Sequence, residues 1–142
     1  MYTIVTWEEL KNRINQEFNV KFHSIDDLML LNTKWFSVDI YKTPDQKILK
    51  KLEQLVGFEG ELYIVTEVSY MISDRDNNSG GAFKVKSEHL NLFCKEYAIK
   101  YNQPVFNLEA FIISFELKIC WLVHHEGIYG VINYREYQEP RE

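Results

Sequence analysis

Residues 109–134 read EAFIISFELKICWLVHHEGIYGVINY, the most apolar stretch of the chain. Apolar residues fill alternate positions and most positions between them, as in strands that are covered on both faces. The step Glu116-Leu117-Lys118 interrupts the run, and Glu126-Gly127 supplies the glycine that a tight hairpin turn needs for positive φ. The stretch therefore predicts three consecutive strands around which the remaining elements are arranged.

Alternation assigns the side chains of the first two strands to opposite faces. On the first strand, one face carries Phe111, Ile113 and Phe115, and the other carries Ile112 and Ser114. On the second strand, the two faces carry Ile119, Trp121 and Val123 against Cys120, Leu122 and His124. Trp121 is therefore expected in the core. Gly130, within the third strand Ile128–Ile132, predicts a bulge or a close contact.

Helices are predicted from capping signals and apolar stripes. The first runs from Thr6 to about Phe18 and starts with a capping box of Thr6 and Glu9. A second helix is predicted after Thr43 as its cap, with Gln46 completing a capping box and Gly57 ending the helix. Ser87 is predicted to cap a third helix, which ends before Pro104.

Outer strands are predicted for Lys34–Tyr41, Glu61–Val68 and Ala82–Val85, and residues 20–31 fit a short strand followed by a short helix. With 142 residues, the chain is long enough to bury a core and is interpreted as a single domain, residues 1–142. The predicted fold class is α+β, a mainly antiparallel sheet with about three helices packed against it.

The charge balance bears on the class of partner. Sixteen basic and 21 acidic residues give a formal net charge of −5, which argues against nucleic acid and permits a basic protein partner. No signal peptide or membrane-spanning stretch is evident, so a cytoplasmic protein is expected. Cys94 and Cys120 lie in apolar surroundings and are expected to be buried free thiols.

Two stretches carry residue types that bind metals. The loop of residues 73–81 spaces Asp74, Asp76 and Asn78 like calcium ligands, but Val85 stands where a bidentate glutamate is needed. His124-His125-Glu126 is the one cluster with catalytic residue types, yet neighbours on a strand point to opposite faces unless the adjoining turn brings them together. We therefore expect no metal, no cofactor and no catalytic residue.

The second half of the chain resembles a known protein family. A strand ending in Phe-Lys-Val-Lys at residues 83–86, a Ser-capped helix and the run of residues 106–131 resemble the immunity proteins of bacterial contact-dependent growth inhibition systems. The most specific piece is WLVHHEG, residues 121–127. The resemblance implies a cytoplasmic protein that binds a toxin domain, often a nuclease, and blocks it. Such families share no active-site motif, so the resemblance assigns no residue.

The leading hypothesis is a non-enzymatic immunity protein that neutralises a cognate toxin domain by one-to-one binding. The alternatives are a small enzyme or metal protein that uses His124, His125 and Glu126, and a ligand-binding or scaffold domain. The candidate partner-binding residues are carboxylates and aromatics at two strand ends: Glu67, Tyr70, Asp74 and Asp76, and His125, Glu126 and Tyr129. Both groups could share one edge of the sheet, while the oligomeric state stays open.

Overall fold

A seven-stranded antiparallel sheet is the main element of the structure, a computed structural model that describes residues 1–21, 34–71 and 81–135, with the backbone alone at residues 70 and 71. The strands are β1 Tyr2–Thr6, β2 Trp35–Ser37, β3 Glu61–Thr66, β4 Gly81–Lys86, β5 Ala110–Ser114, β6 Ile119–His124 and β7 Ile128–Asn133. Their order across the sheet is β1-β4-β3-β5-β6-β7-β2. The predicted α+β fold class is confirmed.

Four α-helices accompany the sheet within the described ranges: α1 Trp7–Phe18, α2 Asp45–Leu55, α3 Glu67–Met71 and α4 Leu90–Tyr101. A 3-10 turn, Ser87–His89, leads into α4. The hydroxyl of Thr6 accepts a hydrogen bond from the backbone N–H of Glu9 (3.2 Å), which confirms the predicted start of α1. β1 was not predicted, and it pairs with β4 as an edge strand.

The sheet is covered on both faces. We call the side of Trp121 face A and the side of Leu122 face B. Apolar residues of α2 and α4 pack with face A, whereas those of α1 pack with face B. The predicted two-sided burial of β6 is confirmed, since its residues from Ile119 to Val123 are all buried.

Trp121 anchors face A. Its side chain is 0% exposed, and its indole N–H donates to the backbone carbonyl of Val56, just after α2 (3.0 Å). The ring of Phe58 lies 4.8 Å away between centroids. Trp121 therefore joins the centre of the sheet to the segment that follows α2, and its polar atom is paired as burial requires.

The predicted β5–β6–β7 meander is confirmed, with continuous antiparallel registers in which Ile112 pairs with Trp121 and Leu122 with Gly130. Gly127 has a φ of +84°, as the second turn requires. Because the register runs through Gly130 without a bulge, this glycine marks a close contact instead. A Cβ there would lie 2.7 Å from the carbonyl oxygen of Lys34, beside β2.

The predicted strand Lys34–Tyr41 is wrong in extent, because β2 ends at Ser37. The side chain of Asp39 accepts the N–H of Tyr41 (3.1 Å) and folds the chain into a turn. The hydroxyl of Thr43 donates to the carbonyl of Asp39 (2.5 Å), so it is engaged in this turn rather than in capping α2. The predicted capping box of Thr43 and Gln46 is therefore wrong, and Pro44 takes the cap position without a side-chain bond.

α2 ends earlier than predicted. Its last residue is Leu55, and Val56 follows in an extended conformation, so Gly57 does not serve as the terminator. The start of α2 is tied to the segment before β5. The backbone N–H groups of Val105 and Phe106 donate to the carboxylate of Asp45 (2.9 and 3.3 Å). Burial raises the pKa of this carboxyl, and the two hydrogen bonds partly offset that effect.

The predicted strand Glu61–Val68 stops two residues early. Thr66 and Ser69 exchange hydrogen bonds, because each hydroxyl accepts the backbone N–H of the other residue (3.1 and 2.8 Å). This reciprocal cap starts the short helix α3 at Glu67 and places Val68 in a helix. The hydroxyl of Tyr97 on α4 also donates to that of Thr66 (2.9 Å), which fixes this corner beneath face A.

Ser87 does not cap α4 as predicted. It begins the 3-10 turn, and its backbone N–H donates to the carbonyl of Gly60 (2.8 Å). The helix ends at Tyr101, before Pro104, as expected. Cys94 and Cys120 are free and buried, as predicted, and burial raises the pKa of both thiols far above the ordinary value.

Three predicted segments lie wholly or largely outside the described residues. They are the short elements in residues 22–31, the loop with its candidate residues Asp74 and Asp76, and the polar tail beyond Arg135.

Replacement of Trp121 by alanine should lower the free energy of unfolding by about 3–5 kcal/mol, because it opens a cavity in the core and leaves the Val56 carbonyl without its donor. Urea denaturation followed by circular dichroism measures this change. Ile99→Ala is the matched control, since Ile99 is 84% exposed and its truncation should cost less than about 0.5 kcal/mol. Equal losses in the two variants would contradict the central place of Trp121.

Candidate functional site at the β6–β7 turn

One end of the sheet brings together residues that are distant in sequence. We call it the turn end: β1, β2, β3 and β6 finish there, and β4, β5 and β7 begin there. Thr66 pairs with Ala110, and Ala110 pairs with Val123. Glu67 and the turn of residues 125–127 therefore lie at the same end of the sheet.

Glu109, His124 and His125 form a compact cluster at this end. Glu109 precedes Ala110 and His124 follows Val123, so the register places these two side chains opposite each other on face B. Oε1 of Glu109 lies 3.3 Å from Nε2 of His124 and 2.5 Å from Nδ1 of His125. One carboxylate oxygen thus lies within hydrogen-bond reach of two imidazole rings.

The turn brings the two histidines together. A continuous strand would place His125 on the face opposite His124, but β6 ends at His124 and His125 is the first turn residue. Their ring centroids are 4.1 Å apart, with an angle of 34° between the ring planes. Because His125 lies in the turn and not in the strand, the two imidazole rings can lie side by side.

Glu126 takes a different place from the one that the sequence cluster implies. Its carboxylate is 72% exposed, and Oε2 lies 3.9 Å from Nδ1 of His124. Its backbone N–H donates to the same Nδ1 atom (3.2 Å). Within the described residues, the carboxylate that contacts both histidines is that of Glu109, whereas Glu126 approaches His124 from the other side of its ring.

Sequence reasoning missed Glu109. The signal was present in the hairpin register, because counting outward from the Ser114–Ile119 pair places Glu109 opposite His124. Using that signal requires knowing where the turn between β5 and β6 begins and ends. Two residues of this turn mark its ends. Phe115 belongs to the turn although it is buried on face B, and Lys118 adopts a φ of +56°.

Hydrogen bonding fixes the neutral tautomer of each histidine. A backbone N–H can only donate, so Nδ1 of His124 must be unprotonated and its proton must reside on Nε2. That Nε2–H points at Glu109. The short contact between Nδ1 of His125 and the same carboxylate requires a proton on Nδ1. His124 therefore presents its Nε2 proton, and His125 its Nδ1 proton, to the carboxylate of Glu109.

Several carboxylates lie at the turn end. Exposed acidic side chains include those of Glu8 and Glu9 in the first turn of α1, Glu67 at the start of α3, and Glu126. Glu109 adds a half-buried one. The opposite end of the sheet also carries exposed carboxylates, Glu59, Glu61, Glu88 and Glu116, but it mixes them with Lys86, Lys118 and Arg135. At the turn end, carboxylates outnumber basic side chains such as Lys42 among the described residues.

The remaining predicted site residues are distributed differently. Tyr129 is half-buried on face A, where its ring packs 5.4 Å from that of Phe36. Tyr70 belongs to α3 at the turn end by its backbone. Asp74 and Asp76 lie between Met71 and Gly81, outside the described residues. The structure therefore brings Glu67, His125 and Glu126 to the exposed turn end.

A separate surface groove bears on the ligand-binding alternative. It lies between α2 and α4 and is lined by side chains of both charges, among them Lys50, Glu53 and Lys95. Leu49 and Phe58 form part of its floor. Among the side chains that line the groove, there is no cluster of converging polar groups comparable to the one at the turn end.

Comparison with protein families, curated proteins and solved structures finds no match to this chain. Among the described helices, none has both the length and the apolar character required to cross a membrane.

The tautomers at the cluster are directly testable. At a pH where both rings are neutral, nitrogen NMR of the imidazole groups should show Nε2–H for His124 and Nδ1–H for His125. Glu109→Gln should weaken the preference of His125, whereas His124 should keep its tautomer because the Glu126 N–H still donates to Nδ1. His89, beyond the opposite end of the sheet, serves as the unaffected control. Detection of Nδ1–H on His124 in the wild-type protein would contradict this geometry.

Proposed function

We propose that this protein is an immunity protein of the contact-dependent growth inhibition type, which binds a cognate toxin domain one-to-one in the cytoplasm and blocks it without catalysis of its own. The proposed partner is a basic nuclease domain. Nucleic acid and membranes are not among the proposed partners of this chain.

The observation that carries the proposal is the group of carboxylates at the turn end. Glu67 and Glu126 are far apart in sequence, and the antiparallel register brings the ends of their strands to the same edge of the sheet. A nuclease domain needs a basic surface to hold the phosphate backbone of its substrate. An acidic surface on a rigid sheet can occupy that basic surface, compete with nucleic acid and speed association.

The histidine pair supplies a centre for such an interface. Interface cores favour aromatic side chains that lose water on binding, surrounded by a polar rim. His124 and His125 lie against each other where β6 ends, with the exposed carboxylate of Glu126 beside His124. Their ring faces and the adjacent Glu109 carboxylate give a partner both aromatic surface and acceptors for arginine or lysine donors.

The described residues on either side of the segment with Asp74 and Asp76 lie at the same end of the sheet. The described residues that flank it are Met71, in the helix that follows β3, and Gly81, the first residue of β4. Both elements meet the turn end.

Growth rescue tests the function. Toxin domains of contact-dependent growth inhibition systems, with nucleases well represented, are produced singly in bacteria with or without this chain. We expect rescue from one toxin domain and a one-to-one complex of that domain with the purified chain in size-exclusion chromatography. Inhibition of the purified nuclease should follow the same stoichiometry. Absence of rescue and of complex formation across the panel would overturn the proposal.

Charge reversal tests the surface. Glu67→Lys plus Glu126→Lys should slow association with the toxin domain, most strongly at low salt, because it removes two of the carboxylates that attract a basic partner. The matched control is Glu59→Lys plus Glu88→Lys, near the opposite end of the sheet. Each pair moves the formal net charge from −5 to −1, since every substitution adds two positive units.

Stopped-flow measurement of association at two salt concentrations separates the two pairs. A loss confined to Glu67→Lys plus Glu126→Lys places the interface at the turn end. Equal losses in both pairs would assign the effect to net charge, and unchanged rates in both would place the interface elsewhere; either result contradicts the proposed surface.

A further inference from the structure

We propose that Glu109, His124 and His125 form a binding site for a divalent first-row transition metal, with zinc as the expected occupant. This inference does not rest on the proposed toxin binding and concerns the cluster itself. It goes beyond the expectation from sequence, in which no metal was required and Glu109 was not considered.

The donor atoms already converge. Each of the three residues offers one ligand atom, and these atoms all lie within 4.8 Å of one another. Tetrahedral zinc with bonds of about 2.0–2.1 Å separates its ligand atoms by about 3.3 Å. Nε2 of His124 and Oε1 of Glu109 are 3.3 Å apart, which matches that spacing without adjustment.

Two contacts must change for a metal to enter: the hydrogen bond from the Glu126 N–H to Nδ1 of His124, and the distance between His125 and Glu109. Nδ1 of His125 lies 2.5 Å from Oε1 of Glu109, so these two atoms must separate by about 0.8 Å to reach tetrahedral spacing. His125 is the residue best placed to move, because it lies in a turn and its side chain is 48% exposed. His124, held in the strand, and Glu109, opposite it, provide the fixed part of the site.

Metal binding requires both imidazoles to change tautomer. Without metal, protons on Nε2 of His124 and Nδ1 of His125 point at Glu109, and a bound cation must replace both of them. The displaced protons then reside on Nδ1 of His124 and Nε2 of His125. Nδ1 of His124 can then no longer accept the backbone N–H of Glu126, so this hydrogen bond must break when the metal binds. Each ring keeps one proton and stays neutral, so metal binding does not require the cluster to release a proton.

Glu126 is placed to stabilise the metal-bound tautomer. Its Oε2 atom lies 3.9 Å from Nδ1 of His124, and its exposed side chain can shorten that distance. A carboxylate that accepts a hydrogen bond from the outer nitrogen of a histidine ligand orients the ring and increases its basicity. In this arrangement, Glu109 is the ligand and Glu126 is the positioning residue behind His124.

The donor set determines the class of metal. Two imidazole nitrogens and one carboxylate suit zinc and its neighbours among the transition metals, whereas calcium and magnesium favour oxygen ligands throughout. Three protein ligands also leave at least one coordination position for water or for a donor from another molecule. The site lies at the turn end of the sheet, beside an exposed turn, so the remaining coordination position is open to solvent.

Titration with zinc tests the proposal. Isothermal titration of the purified full chain should give one zinc ion per chain. Glu109→Gln should weaken binding by more than about 100-fold, because loss of a direct ligand exceeds the about 10- to 100-fold loss typical of an outer partner. Glu126→Gln should weaken it by about tenfold. Glu59→Gln, a carboxylate near the opposite end of the sheet, should leave the affinity unchanged.

Two further measurements separate the site from a nonspecific effect. Cobalt added in place of zinc should give visible absorption bands typical of a tetrahedral site, and these should disappear in Glu109→Gln while circular dichroism stays unchanged. Nitrogen NMR should show the tautomers of His124 and His125 exchange on zinc addition, while His89 does not change. Absence of saturable binding, equal affinity in Glu109→Gln, or unchanged tautomers would each overturn the proposal.

Discussion

Burial of β6 on both faces is the constraint on which the other features depend. Helices cover face A and face B, so the larger Trp121 and the smaller Cys120 occupy cores of different shape. A slip of one residue would exchange these side chains between the faces and is excluded by packing. The register of β5 against β6 is therefore unique, and with it the pairing of Glu109 with His124 outside the strand ends. The core of the sheet thereby sets the geometry of the cluster at its edge.

The parts of the fold that could be predicted from sequence are those decided by apolar periodicity. The β5–β7 stretch and the stripe of α1 bury residues at regular spacing, and packing follows that spacing. Two of the errors arose where a hydroxyl had two competing backbone partners. Thr43 bonds to the carbonyl of Asp39 rather than capping α2, and Thr66 caps α3 although its sequence continues an apolar strand. The local sequence is compatible with either hydrogen-bond partner. Tertiary contacts, such as the hydrogen bond from the Tyr97 hydroxyl to Thr66, determine which partner is used.

The candidate site was predictable in part for the same reason. His124 and His125 are adjacent in sequence, so their cluster was evident, and their location at a turn followed from Gly127. The carboxylate that joins them comes from another strand. Sequence proximity pointed to Glu126, whereas the register points to Glu109, and only the position of the preceding turn distinguishes the two. Pairing across this hairpin depends on where its turn begins and ends, and the residue types of the turn did not fix those ends.

The acidic turn end and the proposed metal site occupy the same place, so they are energetically linked. A bound divalent cation adds two positive charges among Glu67, Glu109 and Glu126, and it therefore weakens the attraction of this surface for a basic partner. Linkage is reciprocal, which means that a basic partner seated there weakens metal binding by the same factor. The sign reverses if the partner donates a ligand to the open coordination position, because the metal then joins the two proteins. The response to zinc of the affinity for the proposed toxin domain would thus report whether that partner reaches the cluster itself or only the carboxylates around it.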